Sequence, residues 1–491
     1  MKAHYKINTI FFVQKKTHLP RKIAYLAVCL NFAIITLSSS LYGMGNTSMD
    51  YSEAHEKLKS INEDALFDHW QELSSAQQQL LLSDIQILSV DEVTKQKQFL
   101  LDHTSMPKQE ASPCHAFNDY AYSGNRDDAT FGMTLIAEGK VGALLIAGGQ
   151  GSRLGFNGPK GTFPISLIEN KSLFELFAEK VKAASLCYGR LLRLAIMTSP
   201  QNHAVTIAFF EEHNHFGLDP SQLSFFSQSE MPFLDEKAHL MLHEGTIAKG
   251  PDGNGSSLRE FVRSGIWERW HSEGISYINY ILIDNPLADP FDAELVGFHA
   301  RNNNEMTIKC VEKAYAEESV GLIVNTNAGI KVVEYSELPD EERSSVAADG
   351  KLKHRLANIS LFCLDMPFIN HAASKALPWH LANKPIATSA PIGWKFETFI
   401  FDIMPASTQV KALLFPRSQT FAPLKNEKGP DSIETVKNAL LQRDHAQLSM
   451  LVGRDIPPGL LELAQEFYYP TQEMEAKWWE HPGPFEGYIR P

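Results

Sequence analysis

The part of the chain best equipped for chemistry is a cluster of glycines directly behind an apolar run. Val141 to Ile146 leads into Ala147-Gly-Gly-Gln-Gly-Ser-Arg-Leu-Gly155, then Phe156-Asn-Gly-Pro-Lys-Gly161. Glycines at 148, 149, 151 and 155 leave backbone amides unshielded, so such a loop can wrap a phosphate chain with its N–H groups. Arg153 and Lys160 add positive charge toward the same anion. The spacing excludes two common loops. Leu154 stands where a dinucleotide fingerprint needs its third glycine, which argues against a nicotinamide oxidoreductase, and no Gly-Lys-Ser/Thr completes a P-loop. A tight turn is the bland alternative for any glycine cluster. Here the Arg and the Pro-Lys that accompany it favour phosphate.

The elements that must hold this loop follow from periodicity. Val141–Ile146 and Leu191–Thr198 read as strands, with a helix between them opened by the capping box Ser172-Leu-Phe-Glu175 and running to about Ala184. A helix over Asn202–His213, a strand over Gln222–Phe226, a helix over Ser257–Trp270 and a strand over Ile275–Ile283 follow. Further strands are expected at Met306–Val311, Gly321–Val324 and Ile330–Tyr335. This alternation implies an α/β domain with a mainly parallel sheet, whose ligands bind at the carboxyl ends of strands. Before it, Leu58, Ile61, Leu66, Trp70, Leu73, Leu80, Ile85 and Leu88 recur at helical spacing between Asp50 and Val93 and predict two or three amphipathic helices. Residues 106–126 read as a linker, and the last fifty as a small tail. The expected organisation is an apolar leader at 1–48, a helical region and linker at 49–125, a catalytic domain at 126–430 and a small C-terminal region at 431–491.

Composition sets the outer bounds. The 491 residues are 44% hydrophobic and 21% charged, as in an ordinary globular protein, with 58 acids against 45 bases. Six of those bases lie in the first 49 residues, which hold no acid, so the remaining 442 residues carry 39 bases and a charge of −19. An acidic body argues against nucleic acid as the partner. The fifteen-residue apolar run Ile23–Leu37 suits a signal-peptide core or an anchor, or else lies upstream of a true start at Met44 or Met49. Five scattered cysteines without metal or redox spacing are expected to be free thiols in a reducing compartment.

Gly148-Gly-Gln-Gly-Ser-Arg-Leu-Gly155 with Pro159-Lys160-Gly161 closely resembles the signature loop of UDP-sugar pyrophosphorylases, in particular the UDP-N-acetylhexosamine pyrophosphorylase branch, whose loop is typically GGQGTRLG followed by PKG. Other segments match in the same order from about Asp64 to Leu441. Phe225-Phe-Ser-Gln-Ser-Glu-Met-Pro232 is similar to the family's FFxQ, which implies that Gln228 contacts the uracil; alone, it would read as a solvated loop Gln. Gly250-Pro-Asp-Gly-Asn-Gly255 is similar to PDGNGG, which implies that Gly253 and Asn254 face the uridine; alone, it is a helix N-cap loop with Asn254 or Ser257 as cap. Ser256-Ser257 depart from the usual Gly-Leu. Asp284-Asn-Pro-Leu-Ala-Asp-Pro290 resembles the DN...ADP segment, in a form three residues shorter than the common one. It implies Asp284 for metal and nucleotide and Asn285 for the sugar, with Asp289 read as a helix cap. Val332-Val-Glu-Tyr-Ser-Glu337 and Ala357-Asn-Ile-Ser360 resemble VVEYSE and GNIxxH, implying sugar contacts from Glu334 and Asn358. Ala357 replaces a glycine, and Phe362 a histidine. Lys395-Phe-Glu-Thr-Phe-Ile-Phe-Asp402 and Phe421-Ala-Pro-Leu-Lys-Asn426 resemble KxExFxFD and FSPLKN, placing Lys395 and Lys425 on phosphates.

The resemblance implies a nucleotide-diphospho-sugar transferase fold, Rossmann-like and GT-A-like, with a mixed sheet covered by helices on both faces. It also implies transfer of UMP from UTP to an N-acetylhexosamine 1-phosphate, most readily N-acetylglucosamine 1-phosphate, with pyrophosphate leaving. Glucose 1-phosphate or a broad set of sugar phosphates is the alternative within the enzyme class; a non-catalytic nucleotide-sugar binder is the alternative outside it. Ala147, Gly148, Gly149, Gln150 and Gly151 would hold the nucleotide, Arg153, Lys160 and Lys395 would serve catalysis, and Mg²⁺ or Mn²⁺ would sit at Asp284. No nucleic acid or obligatory protein partner is expected. UTP is cytoplasmic, so a cytoplasmic protein starting at Met44 or Met49 is expected.

Overall fold

The computed structural model describes residues 49–105, 114–327, 329–334, 337–387 and 390–491. The leader expected at 1–48 and part of the linker lie outside them. At the centre is an eleven-stranded sheet. Its principal strands are β1 (Tyr120–Tyr122), β2 (Val141–Ile146), β3 (Arg193–Thr198), β4 (Leu223–Ser227), β5 (Tyr277–Leu282), β6 (Met306–Glu312), β7 (Gly321–Thr326), β8 (Gly329–Glu334), β9 (Leu356–Asp365) and β10 (Val410–Phe415). The order β1-β10-β6-β9-β5-β2-β3-β4 is parallel throughout except for β9, which runs antiparallel to β5 and β6. A side branch pairs β7 with β9, β8 and His115–Ala116.

The mainly parallel α/β sheet expected from the sequence is therefore present. The strand-order reversal falls between β2 and β5, where a crevice opens at the carboxyl ends of both strands. All six residues of β2 are buried, which accounts for the unbroken apolar run that marked it. The helix after it spans Leu173–Cys187, with Ser172 Oγ accepting from the Glu175 amide at 3.1 Å.

Helices cover both faces and bury two separate cores. One packs Leu145, Ile196 and Ile281 against Phe174, Phe177 and Leu295. The other packs Leu144, Met197 and Tyr280 against Leu258, Trp270 and Phe368. The N-terminal helices Tyr51–Lys59, Ser75–Ile87 and Val90–Ser105 form a third core, placing Leu58, Leu81 and Ile85 on Leu234, Leu240 and Phe396.

Several expectations need correction. The helix expected over Ser257–Trp270 is two, Ser257–Arg263 and Ile266–Ser272, because Gly265 takes φ 75° between them. Tyr120–Tyr122, read as linker, is an edge strand on β10. Asp289 is no helix cap. Asp292 caps Ala293–Arg301 through the Leu295 amide, while Asp289 is half-buried and accepts from the Phe291 amide and the Tyr469 hydroxyl. The C-terminal region is more than a tail: its twenty-residue helix Ile433–Val452 places Val436 and Leu440 in the first core. Of the described cysteines, Cys187, Cys310 and Cys363 are free thiols. No helix of the described residues is long and apolar enough to cross a membrane.

Candidate active site

Beyond β2 the chain folds back on itself into a tight cradle. The Gly151 amide donates to Gly158 O at 2.9 Å, Phe156 N to Gly151 O at 3.2 Å and Lys160 N to Gly149 O at 3.0 Å. The buried Asn202, on the loop after β3, fastens the cradle to its neighbour: its Nδ2 donates to Ala147 O at 3.3 Å and Gly149 O at 3.5 Å, while Oδ1 accepts from the Ser199 amide at 2.8 Å. Among the described residues nothing accepts from the amides of Gly148, Gly149 and Gln150. Unpaired N–H groups at the end of a buried strand are the donors an anion needs.

These amides border a 370 Å³ cleft at the switch point. Gln228 reaches it from the end of β4, and Gly253 and Asn254 from the loop before Ser257–Arg263. Asp284 and Lys160 complete the lining. The Gln228 carboxamide packs on Gly148, where an added Cβ would lie 3.1 Å from its Oε1. Gln201, Pro251 and Phe399 also line the cleft and were not foreseen. Gln201 could have been found from the rule that loops following strands carry the ligand, since it lies three residues past β3.

The loop before Ser257–Arg263 is built around a buried carboxylate. Asp252 accepts from Ser256 Oγ at 2.7 Å, Ser229 Oγ at 2.8 Å and Arg259 at 3.1 Å, and its carbonyl accepts from the Thr398 amide at 2.8 Å. Burial raises its pKa above the usual carboxylate range, against those three donors. Gly253 adopts φ 85° with Thr398 O so close that a Cβ would fall 2.3 Å from it. Asn254 caps nothing; its Oδ1 accepts from the Ile400 amide at 3.0 Å. Both departing serines are used: Ser256 holds Asp252, and Ser257 Oγ lies 3.2 Å from the Tyr280 hydroxyl. Phe362 is a core residue packed at a tilt against Tyr280, with ring centroids 5.7 Å apart. A larger 620 Å³ cleft lies behind this loop, between Gln96 and Phe99 on one side and Ser256 and Thr398 on the other, away from the glycine cradle.

Charge converges on the cradle. Lys160 is buried and donates to Leu424 O at 3.1 Å; the Leu424 amide in turn donates to Asp284 O at 2.7 Å. Burial lowers the Lys160 pKa, Asp284 opposes the shift, and Arg153 and Lys425 add to it, so these four groups feel one another. Arg153 is exposed and has no ion-pair partner among the described residues. Lys425 pairs with Asp431 at 3.1 Å. Glu334 ends β8 with its pKa raised by partial burial and Glu337, against Lys425, which ties it to the same cluster. Asn358 is buried in β9 and bonds Ser360 through both ends of its carboxamide. Four expected groups are engaged elsewhere: the amides of Ala147 and Gly151 already donate to Met197 O and Gly158 O. Lys395 is bound to Glu397 at 2.6 Å and does not line the cleft. Asn285 spends its carboxamide on Thr420 O at 2.8 Å and the Ala422 amide at 3.1 Å.

Asp284 is the one carboxylate lining the cleft among the described residues, and no group of three or more acidic, His or Cys side chains forms a metal cage there. A single carboxylate at a strand end fits a hard cation that takes its remaining ligands from phosphate and water.

The family model described as UTP--glucose-1-phosphate uridylyltransferase matches residues 64–482, from the N-terminal helices through the C-terminal region. The chain belongs to this uridylyltransferase family. UDP-N-acetylglucosamine diphosphorylase 2 of Arabidopsis thaliana is 32% identical over 438 residues, covering 83% of this chain and 86% of its own. UDP-N-acetylglucosamine pyrophosphorylase of Saccharomyces cerevisiae is also 32% identical, covering 83% and 93%. The uridine diphosphate N-acetylglucosamine pyrophosphorylase of Trypanosoma brucei superposes with a TM-score of 0.76 over 91% of this chain and 99% of its own, at 24% identity. The nucleotide-diphospho-sugar transferase fold expected from the motifs is the fold of this uridylyltransferase.

Proposed function

We propose that the chain transfers the uridylyl group of UTP to N-acetylglucosamine 1-phosphate, giving the UDP-sugar and pyrophosphate. The observation that carries this is the convergence of the free Gly148–Gln150 amides, Gln228, Asn254, Asp284 and Lys160 on one cleft at the switch point. The relatives named for N-acetylglucosamine favour that sugar over glucose.

A sugar phosphate oxygen is already ionised at neutral pH, so no activated side-chain nucleophile is required. It attacks the α-phosphorus in line, the bond to the β-phosphate oxygen breaks, and pyrophosphate carries the electron pair away. The protein's task is positioning and charge neutralisation. The cradle amides, Arg153 and Lys160 face the leaving phosphates. Gln228 offers donor and acceptor to a pyrimidine edge, and Asn254 backs the uridine. Lys425 meets the phosphates, and Glu334 and Asn358 frame the acceptor side. Lys395 would meet a phosphate in exchange for Glu397, and Asn285 would act on the acceptor side by holding the 420–422 segment. A magnesium or manganese ion held at Asp284 would neutralise charge on the phosphates. The setting is cytoplasmic, where UTP is made.

The serines and the Phe that depart from the family pattern are bonded or packed, which supports an intact site over a drifted binder. Purified protein with UTP, Mg²⁺ and a panel of sugar 1-phosphates tests the reading by pyrophosphate release. Fastest release with N-acetylglucosamine 1-phosphate is expected. Preference for glucose 1-phosphate would shift the acceptor, and silence across the panel would leave only binding.

A further inference from the structure

The helix Leu173–Cys187 carries a lysine on its buried face. Lys180 is 2% exposed, yet its ammonium lies 2.5 Å from Pro286 O and 2.7 Å from Ala288 O. Both carbonyls belong to the turn that follows Asp284. A second cation reaches the same turn from the C-terminal region, Arg443 donating to Pro286 O at 3.3 Å. From there the connection to the cleft is continuous. Asn285 holds the 420–422 segment through Thr420 O and the Ala422 amide, the Leu424 amide donates to Asp284 O, and Leu424 O accepts from Lys160. The segment bearing Asp284 is thus suspended between Lys180 beneath it and the 420–425 segment, which carries Lys425 and accepts from Lys160.

A lysine sequestered this completely is costly for the fold. Burial and Arg443 lower its pKa far below the lysine range, against Asp289 and Asp444. A neutral amine still carries two N–H groups, one for each carbonyl, so the contact does not depend on charge.

We propose that Lys180, assisted by Arg443, is a positioning residue for the transfer reaction, fixing the Asp284–Ala288 turn and through it Lys160 and Lys425. The inference rests on the reading that Asp284 and Lys160 act at the reacting phosphates. The glycine cradle and the uridine loop are held by other bonds, so the nucleotide should still bind.

The test is Lys180→Met in the full chain, read by kinetics and by amide hydrogen exchange of the unliganded protein. Expected is a fall in kcat of about 10²-fold with the KM for UTP within about threefold of wild type. Exchange should accelerate about tenfold in peptides 283–290 and 420–426 but not in 141–151. Wild-type kcat, or exchange accelerated everywhere alike, would overturn the proposal. Should Lys180→Met fail to fold, Arg443→Met decides: the same local exchange with lowered kcat supports the proposal, and wild-type behaviour overturns it. Lys171→Met, which breaks a partly buried pair with Glu179, is the control for destabilisation without loss of kcat. The exchange readout needs no turnover. An inactive wild-type protein would overturn the functional reading and with it the kinetic half of this proposal, while exchange would still decide whether Lys180 fixes the Asp284–Ala288 turn.

Discussion

Gly149→Ala separates what the cradle does for the fold from what it does for the substrate. A Cβ built at Gly149 meets no heavy atom within 4 Å, and Gly149 is absent from the glycines with left-handed φ. Alanine therefore fits, and by narrowing the unfolded ensemble it changes stability by less than about 1 kcal/mol, in the favourable direction if at all. For a chain this long the melting point moves by less than about 2 °C. The open space that makes the methyl harmless to the fold is the space a polyphosphate needs to reach the Gly148–Gln150 amides. Losing one preorganised donor to a developing anion costs about 10²–10³ in rate. Pyrophosphate release at varied UTP, alongside a thermal melt, measures both quantities on one preparation. A drop in kcat/KM for UTP of about 10²-fold at an unchanged melting point is expected. Rates within about threefold of wild type would refute phosphate binding by this loop, and a fall in melting point of several degrees would refute the account of its packing.

The other perturbations move different quantities. Gly161→Ala would put a methyl 2.2 Å from the ring of Phe174 in a filled core, so it should cost about 1–3 kcal/mol in a denaturant titration, the reverse pattern to Gly149→Ala. Arg153→Ala, at an exposed position without an ion-pair partner among the described residues, should leave the melting point alone and lower turnover about 10²-fold; unchanged turnover would remove Arg153 from the mechanism. His299 is buried with its pKa lowered to about 3 by desolvation. Below its unfolded pKa, about 6.5, only the unfolded chain binds that proton, so stability falls with decreasing pH until about 3. His299→Gln should flatten unfolding free energy against pH by about 1.4 kcal/mol per unit between pH 6 and about 4, and an unaltered slope would contradict the burial.

What could be read from the sequence was decided by how purely each segment is buried. β2 and β5 are parallel and covered on both faces, β2 apolar throughout and β5 apolar or aromatic except for the buried Asn279, and their limits were found to within two residues. β9 was missed because Asn358 and Ser360 interrupt it and Ser360 takes φ 53°. The helix Ile433–Val452 keeps Val436, Leu440, Leu448 and Leu451 on one side, but Asp444 occupies the same stripe and hides it. Asp444 is tolerated there because the Leu463 amide and the Tyr468 hydroxyl satisfy it, partners no local pattern shows. The glycine cradle, Gln228 and Asp284 were legible from residue type and order. Asn202 and Phe399 were not, since each acquires its place only when distant loops meet. For the same reason Asn254, a cap on local grounds, proves to hold Ile400, 146 residues away.

The reversal of β9 has a further meaning for how this scaffold varies. Tyr280 faces Phe362, so the residues before Phe362 run beside those after Tyr280, and Asn358 arrives at the Asp284 end from a strand's beginning. On the proposed function, chain leaving β2, β4 and β5 would deliver the nucleotide half, and chain leaving β8 and entering β9 the acceptor half. The two halves are fed by separate stretches of sequence. Insertions or deletions between Glu334 and Leu356 can therefore remodel the acceptor pocket while the register of β2 and β5 holds the nucleotide half constant. On that reading a single inverted strand would let donor recognition and acceptor choice evolve separately on one sheet.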